Sequence, residues 1–216
     1  MKNIYYVLYG KRLMDIIIAL VALIVTLPVN LILAVFTYID VGLPIIFKQQ
    51  RVGKDGLLFT IYKFRNMTNE TDENGKLLPP RMRVTKFGKF VRACSLDELL
   101  QFWNILIGEM SVIGPRPLAI RYMEQYSERQ KNRHVVKPGL ECPTPKHLDH
   151  VRTWEEQLEN DVWYVENVSF MLDVWLMFRL VQLTFDRESA HVRCTATKGS
   201  AFPLGDKVRI KEDLKN

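Results

Sequence analysis

The sequence predicts a mostly helical α+β protein that carries an apolar membrane helix near its N-terminus and a small β-hairpin directly after it. Three observations lead to this class. Residues 13–39 form a long apolar run, residues 44–65 hold two β-prone stretches around an Asp-Gly turn, and later segments carry apolar residues at helical spacing. The expected division is a membrane segment at 1–40, a folded domain at 41–185 and a polar, basic tail at 186–216.

The apolar run contains one charged residue, Asp15. As a helix it would reach roughly 40 Å, more than a hydrocarbon core of about 30 Å. A signal peptide fits poorly, because the run is too long and has no small-residue cleavage site. Pro28 lies near its middle and predicts a kink. Basic residues flank both ends, so charge gives no preferred direction. The residues alone leave a spanning and a re-entrant helix equally open, with a buried soluble helix as the third interpretation.

The folded domain begins with the hairpin, whose turn contains Asp55 and Gly56. Ser95 and Glu98 have the spacing of a capping box, which predicts a helix start at Ser95. The final predicted helix is apolar on most sides, which suits either a membrane interface or burial. In chain order, the segments after the hairpin are a polar loop at 68–80 and helices at 95–107, 118–133, 154–164 and 168–185.

Composition narrows the class of protein. The net charge of +6 fits a nucleic acid, a phosphate-rich ligand or an anionic membrane surface, without choosing among them. The three cysteines form no CxxC pair, which argues against a disulfide framework or a thiolate zinc site. The sequence contains no GxxxxGK[ST], GxGxxG or HExxH motif, which disfavours a P-loop NTPase, a dinucleotide-binding domain and a zinc protease.

Asp97 and Glu98 are the most informative polar pair. Adjacent carboxylates on a helix diverge by about 100°, so one can attack or hold a metal while the other positions or accepts a proton. Alone, the pair is more often a solvated first turn of a helix. Its cationic surroundings change that balance, because carboxylates for a divalent cation among phosphate-gripping cations describe a phosphoryl-transfer site. The candidate cations are Arg92, Arg116 between two prolines, and Lys63 and Arg65 on the hairpin.

Taken together, the motifs resemble those of the small monotopic phosphoglycosyl transferases, the bacterial sugar transferases that start glycan assembly on polyprenyl phosphate. They run in family order over about residues 11–185 and are specific as a set, although no single motif is. The matching stretches are Lys11-Arg12-Leu-Met-Asp15, Phe47-Lys-Gln-Gln-Arg51-Val-Gly53, Lys63-Phe64-Arg65-Asn-Met67, Arg83-Val-Thr85-Lys-Phe-Gly88, Arg92 through Ser95-Leu-Asp97-Glu98-Leu, Gly108-Glu-Met110-Ser111-Val-Ile-Gly114-Pro115-Arg116-Pro117, Lys137-Pro138-Gly139 and Asp161-Val-Trp-Tyr164-Val-Glu166-Asn167.

The resemblance implies a re-entrant membrane helix bent at Pro28 and amphipathic interface helices around a cytoplasmic catalytic domain. It places the protein at the cytoplasmic face of the bacterial inner membrane, monotopic, with membrane lipids as partners. Nucleic acid becomes the least favoured partner, and a homodimer is left open.

The resemblance also implies a reaction. Asp97 would attack the sugar-bearing phosphate of a UDP-sugar, releasing UMP, and polyprenyl phosphate would then take the phosphosugar. Mg²⁺ would neutralise the phosphates beside Asp97, with Glu98 in proton handling or metal positioning. The substrate-binding residues it implies are Lys63, Arg65, Arg92, Arg116 and Pro117.

The sequence departs from the family pattern at several positions. Asn66 stands where the family usually has Thr, Leu100 where it has Pro, and residues 140–152 diverge from the usual continuation after Pro138-Gly139. The resemblance implies that residues of that last region help recognise the nucleotide sugar. The alternative to an active transferase is therefore a membrane-tethered, catalytically inactive homologue or a basic binding module.

Overall fold

The computed structural model describes residues 5–144 and 153–185, and the proposed tail at 186–216 lies outside this range. The chain begins with a π-helical turn, Tyr6–Gly10, that leads directly into the long helix α1 (Lys11–Val41). Within the described residues, Tyr6–Val41 is the segment long and apolar enough to cross a membrane, with a mean hydropathy of 2.9 and 11% of that window buried. So little burial distinguishes α1 from the core helix of a soluble protein. The helix continues through Pro28, and a bend there stays a prediction.

Both ends of α1 contact the same folded domain. Near its start, Lys11 Nζ lies 2.8 Å from Asp173 Oδ2, and Asp15 accepts hydrogen bonds from Ser111 Oγ and the Val112 amide. Near its end, Thr85 Oγ1 donates to Asp40 Oδ2 at 2.6 Å. The opposite face of α1 exposes a row of large apolar side chains, which includes Leu13, Ile17, Val21, Ile24, Leu31, Val35 and Ile39.

The predicted hairpin is confirmed. Strands β1 (Ile46–Val52) and β2 (Leu58–Phe64) pair antiparallel, from Ile46 opposite Phe64 to Val52 opposite Leu58. The connection is a short 3₁₀ turn, Lys54–Gly56, in which Asp55 and Gly56 both have positive φ. Asp and Gly tolerate this left-handed backbone better than most residues, which is why the dipeptide predicts the turn.

The expected helix at 95–107 is divided in the structure. Two short helices, α2 (Pro80–Arg83) and α3 (Lys86–Ala93), lie before this region in the chain. The first part of the region is a 3₁₀ turn, Leu96–Glu98, and its second part is the helix α4 (Gln101–Ile107). The predicted capping box at Ser95 is wrong. Ser95 has a left-handed backbone, with φ +56°, and its side chain caps nothing. A capping residue needs an extended backbone, so the turn at Ser95 sends the chain in a different direction.

A two-stranded parallel sheet follows, formed by β3 (Ser111–Ile113) and β4 (Gly139–Glu141). Gly114 and Gly139 touch here, and a Cβ on either would overlap the backbone of the neighbouring segment. This close approach explains why glycine occupies both motifs. Between the strands, the continuous helix expected at 118–133 is wrong. The chain instead forms 3₁₀ segments at Ile120–Gln125 and Asn132–Val135 around the four-residue helix α5 (Glu128–Lys131).

Two helices complete the described fold, α6 (Trp154–Asn167) and α7 (Phe170–Phe185), close to the predicted bounds. The main core lies between the first half of α1, α4, the parallel sheet and these two helices. Helix α7 is buried on one side, where Asp173 and Leu176 are fully covered. Its other side exposes apolar residues, as an interface helix would, namely Phe170, Met171, Val174, Trp175, Phe178 and Val181.

Candidate active site

A tight turn carries the acidic pair. The left-handed backbone of Ser95 turns the chain out of α3, and the 3₁₀ segment Leu96–Glu98 then carries both carboxylates. Leu96, Leu99 and Leu100 pack against a small cluster of Leu33, Phe64 and Val91. The turn is therefore fixed on α1, β2 and α3 at once, and this anchoring holds Asp97 and Glu98 in a defined place.

Asp97 is 7% exposed, and Asn66 Nδ2 donates a hydrogen bond to its Oδ2 at 3.1 Å. Burial raises the pKa of Asp97 above its ordinary value, and the neighbouring Glu98 charge adds to this rise. Lys63 and Arg92 act in the opposite direction and lower it in part. A carboxylate stripped of water and kept among cations is more reactive toward an electrophile than a solvated one.

Glu98 has the opposite environment. Its Oε1 accepts hydrogen bonds from Lys63 Nζ at 2.6 Å and Arg116 Nη2 at 2.5 Å. Burial by itself would raise the pKa of Glu98, but Arg116 and Lys63 outweigh it and lower the pKa to about 2. Glu98 is therefore a fixed anion that orients two cations.

The backbone and side chain of Arg116 are both held. Its Nη1 donates to the Leu140 carbonyl at 2.8 Å and lies 3.5 Å from Glu141 Oε2. Arg133 Nη2 donates to the Arg116 carbonyl at 2.7 Å, and the same nitrogen pairs with buried Asp161 at 2.7 Å. The Arg116 side chain keeps 40% of its surface exposed, so its guanidinium can still meet a ligand. Pro117, the next residue, is half-buried and lines a shallow cleft together with Arg116 and Gly53.

The structure brings Asp97, Glu98, Lys63 and Arg116 together, and Arg92 is close enough to influence the Asp97 charge. Arg92 is exposed and its Nη2 contacts the Met67 sulfur at 3.2 Å. Arg65 is engaged differently. It is 8% exposed, and its guanidinium donates to the carbonyls of Gly42 and Leu43 just past α1.

No group of three His, Cys, Asp or Glu side chains that could hold a metal occurs in residues 5–144 and 153–185. Glu98 is occupied by two cations, so Asp97 is the carboxylate of this pair that remains available to a cation. Mg²⁺ often binds through one or two carboxylates and completes its shell with water and substrate phosphates. The donor set fits a magnesium ion that arrives with a diphosphate, and does not by itself form a complete cage.

Sequence reasoning missed several residues that the structure makes important. Asn66 attracted attention only as a departure from the family pattern, yet it contacts Asp97 directly. The buried ion pair between Arg133 and Asp161, behind Arg116, was also missed, although Asp161 begins the last of the family-like motifs. A third group ties α1 to α7, where Asp173 accepts from Tyr6, Lys11 and Tyr164. Single charged residues in apolar helices were the available signal, since a buried charge needs a partner.

The fold and the site define a class of protein: a small domain packed along an exposed apolar helix, with a buried carboxylate beside a cation-bound one. Comparison with known proteins identifies the family. The sequence pattern described as "Bacterial sugar transferase" matches residues 6–187, so the chain belongs to the bacterial sugar transferase family.

Individual relatives agree with this assignment. The chain is 43% identical over 167 residues to an uncharacterized sugar transferase, EpsL, of Bacillus subtilis, covering 77% of this chain and 83% of that protein. It is 38% identical to a UDP-glucose:undecaprenyl-phosphate glucose-1-phosphate transferase of Klebsiella pneumoniae, and 35% identical to a UDP-N-acetylgalactosamine-undecaprenyl-phosphate N-acetylgalactosaminephosphotransferase of Aeromonas hydrophila. These alignments cover 84% and 80% of this chain but 41% and 43% of those two relatives.

Proposed function

We propose that the protein transfers a phosphosugar from a UDP-sugar to polyprenyl phosphate, the undecaprenyl form in bacteria, through a covalent intermediate on Asp97. The observation that carries this proposal is the placement of Asp97, a buried carboxylate with a fixed orientation, within a chain of the sugar transferase family. The relatives named for a substrate use UDP-sugars and undecaprenyl phosphate, and their sugars differ, so the donor sugar stays open.

In the first step, an oxygen of the Asp97 carboxylate attacks the sugar-bearing phosphorus of the donor. The bond from that phosphorus to the bridging oxygen breaks, and its electron pair leaves with UMP. In the second step, a phosphate oxygen of polyprenyl phosphate attacks the same phosphorus and frees Asp97. The product is a polyprenyl-diphosphate sugar, and no redox partner is needed. The covalent intermediate lets two unlike substrates use one site in turn.

The cations assist this transfer electrostatically. Glu98 orients Lys63 and Arg116 so that their remaining donors face incoming phosphate oxygens, while Arg92 supplies an exposed positive charge. Pro117 restricts the backbone that follows Arg116. Mg²⁺, held by Asp97 and the diphosphate, would supply further charge neutralisation. Because cations lower its pKa to about 2, Glu98 acts in this scheme as a permanent anion and not as a proton shuttle.

We infer a monotopic arrangement, in which α1 enters and leaves the membrane on the cytoplasmic side of the bacterial inner membrane. Contacts at both ends of α1 with one folded domain support it. A straight spanning helix would separate those ends by the hydrocarbon core of about 30 Å. The exposed apolar sides of α1 and α7 would then meet lipid, which brings the site to the depth of a lipid phosphate.

The decisive experiment measures UMP release by the detergent-extracted chain with undecaprenyl phosphate, Mg²⁺ and a panel of UDP-sugars. A second measurement omits the lipid and follows sugar label and intact mass on the protein. We expect UMP in the first and a protein-bound phosphosugar in the second. No UMP from a broad panel would refute the transferase, and full activity of Asp97→Asn would refute the mechanism.

Topology is tested with impermeant thiol reagents on sealed vesicles. The probes are Tyr5→Cys before α1 and Asn74→Cys in the loop after the hairpin, in a chain whose own cysteines are replaced. Equal labelling from the cytoplasmic side is expected. Labelling of the two positions from opposite sides would rule out re-entry.

A further inference from the structure

The segment where the chain leaves α1 is fixed to the end of β2 by Arg65. Its Nη1 donates to the Leu43 carbonyl at 2.9 Å and its Nη2 to the Gly42 carbonyl at 3.2 Å. The Arg65 amide also donates to the Ile45 carbonyl at 2.9 Å. Three hydrogen bonds from one residue therefore hold the exit of α1 in place. With its guanidinium directed at backbone, Arg65 has a different orientation from the cations around Glu98.

The next residue, Asn66, reaches the candidate nucleophile. Its carboxamide donates to Asp97 Oδ2 at 3.1 Å, and both side chains are 7% exposed. The Asn66 carbonyl is pressed against Gly88 of α3, where any Cβ would overlap it. The backbone of Asn66 is therefore held from two sides. The hydrogen bonds of Arg65 fix the preceding residue, and Gly88 of α3 packs against the Asn66 carbonyl.

A second contact joins the same two parts of the molecule. Thr85 donates to Asp40, the penultimate residue of α1, and also caps α3 by accepting from the Gly88 amide at 2.8 Å. The end of the membrane helix is therefore connected to both elements that confine Asn66. This arrangement differs from the start of α1, whose contacts lead to α4, β3 and α7.

We propose that Asn66 is a positioning residue that orients the Asp97 carboxylate for attack, and that Arg65 couples its placement to the exit of the membrane helix. The proposal rests on the proposed function and replaces substrate binding as the role of Arg65. Binding one carboxylate oxygen leaves the other free to approach phosphorus. Loss of this hydrogen bond would leave the Asp97 carboxylate free to rotate away from the orientation needed for attack.

The first test replaces Asn66 by Leu, which has similar size and no donor. We expect kcat to fall about tenfold with little change in KM, since one hydrogen bond to a charged group is lost. A second readout requires no substrate: the ¹³C chemical shift of the Asp97 carboxyl, assigned by Asp97→Asn, is compared at one fixed pH. A changed shift together with the lower kcat of Asn66→Leu supports the proposal, and an unchanged kcat and shift would overturn it.

The coupling is tested with a matched pair of arginines. Arg12 donates to the consecutive carbonyls of Ile105 and Leu106 near the start of α1, much as Arg65 does near its end. Arg12→Lys and Arg65→Lys should both lower thermal stability, but only Arg65→Lys should lower kcat and change the ¹³C shift of the Asp97 carboxyl. Equal effects of the two variants on kcat and on that shift would overturn the coupling. Should Arg65→Lys fail to fold, Asp40→Ala removes the second contact and should change kcat and the shift in the same direction.

These readouts separate the two proposals. A wild-type chain without UMP release refutes the proposed function, while the ¹³C shift of the Asp97 carboxyl still decides whether Asn66 orients that carboxylate. An active wild-type chain with an unaltered Asn66→Leu variant refutes the positioning role alone.

Discussion

The α1–α7 junction and the acidic turn each bury an aspartate, and they do so in different ways. The α1–α7 junction, formed by Tyr6, Lys11, Tyr164 and Asp173, surrounds its carboxylate with an ammonium and two hydroxyls. In the acidic turn, residues 95–98, the buried Asp97 accepts a hydrogen bond from the neutral amide of Asn66. Two nearby cations, Lys63 and Arg116, bind Glu98 instead. Full satisfaction of a buried charge is typical of a structural role. Partial satisfaction fits the nucleophilic role that we propose for Asp97, and it comes at a cost in stability.

The largest effect is expected at the acidic turn. Asp97→Asn removes the proposed nucleophile while retaining the shape of the side chain, so UMP release should fall by at least about 10³-fold. Thermal stability should stay equal or rise, because burial of a charge is avoided. Differential scanning calorimetry alongside the UMP assay checks both quantities. A large drop in melting temperature would mean that Asp97 is as structural as Asp173.

At the junction, Asp173→Asn should produce the reverse pattern. It removes the carboxylate that binds the buried Lys11 ammonium, and breaking a buried pair in this way costs about 3–5 kcal/mol of unfolding free energy. Activity per folded molecule should be retained, because the contacts of Asp173 lead to α1 and α6 and not to the acidic turn. Glu159→Gln, in an exposed pair with Arg129, is the matched control and should leave the unfolding free energy nearly unchanged, because solvent screens such a pair.

Glu98→Gln is expected to have an intermediate effect on catalysis. Lys63 and Arg116 would lose their shared countercharge and much of their orientation, which should lower kcat/KM about 10²-fold. The Asp97 carboxyl should titrate at lower pH, because the neighbouring negative charge that raises its pKa is gone. If the titration of Asp97 is unchanged, the charge of Glu98 does not influence the Asp97 carboxyl.

The pH dependence of stability should differ between the two carboxylates. Burial alone would raise the pKa of Glu98, but Arg116 and Lys63 outweigh burial and lower this pKa from 4.5 to about 2. Ionised Glu98 therefore contributes its full stabilisation of the fold above pH 4.5, and this stabilisation is lost as the pH falls toward 2. The pKa of Asp97 is raised above 3.8, so its contribution is present below that pH and lost as pH rises through the raised value. Melting temperatures measured across pH 2–7 check this difference. Glu98→Gln should lose the rise of stability with pH that Glu98 causes, and Asp97→Asn should lose the fall of stability with pH that Asp97 causes.

At the junction, Tyr164→Phe is expected to have a smaller effect than Asp173→Asn. It removes one hydroxyl that donates to Asp173 Oδ1 at 2.6 Å, while Tyr6 and Lys11 still contact Oδ2. The expected loss is about 1–3 kcal/mol of unfolding free energy, measured by denaturant titration, without change in kcat. A change in kcat would connect the junction to the site.

Much of this fold was accessible from local sequence. The hairpin followed from β-prone runs around Asp55-Gly56, since a dipeptide that tolerates positive φ specifies the turn. Helices α6 and α7 followed from apolar spacing. The prediction of a helix that starts at Ser95 was wrong, because the spacing of Ser95 and Glu98 does not determine the backbone conformation of the serine. Packing of Leu96, Leu99 and Leu100 against distant parts of the chain favours the left-handed turn at Ser95.

The sequence by itself determined the apolar helix, the hairpin, the acidic pair and, through ordered motifs, the family. These features depend on composition and on residues close in the chain, which local physics controls. Only the tertiary structure decided that Lys63 and Arg116 bind Glu98, that Arg65 faces the exit of α1, and that Asn66 contacts Asp97. Those partners are distant in sequence, and each cation could have paired with several carboxylates. Folding chooses among them through burial, which makes each unpaired charge costly and so separates a structural carboxylate from a reactive one.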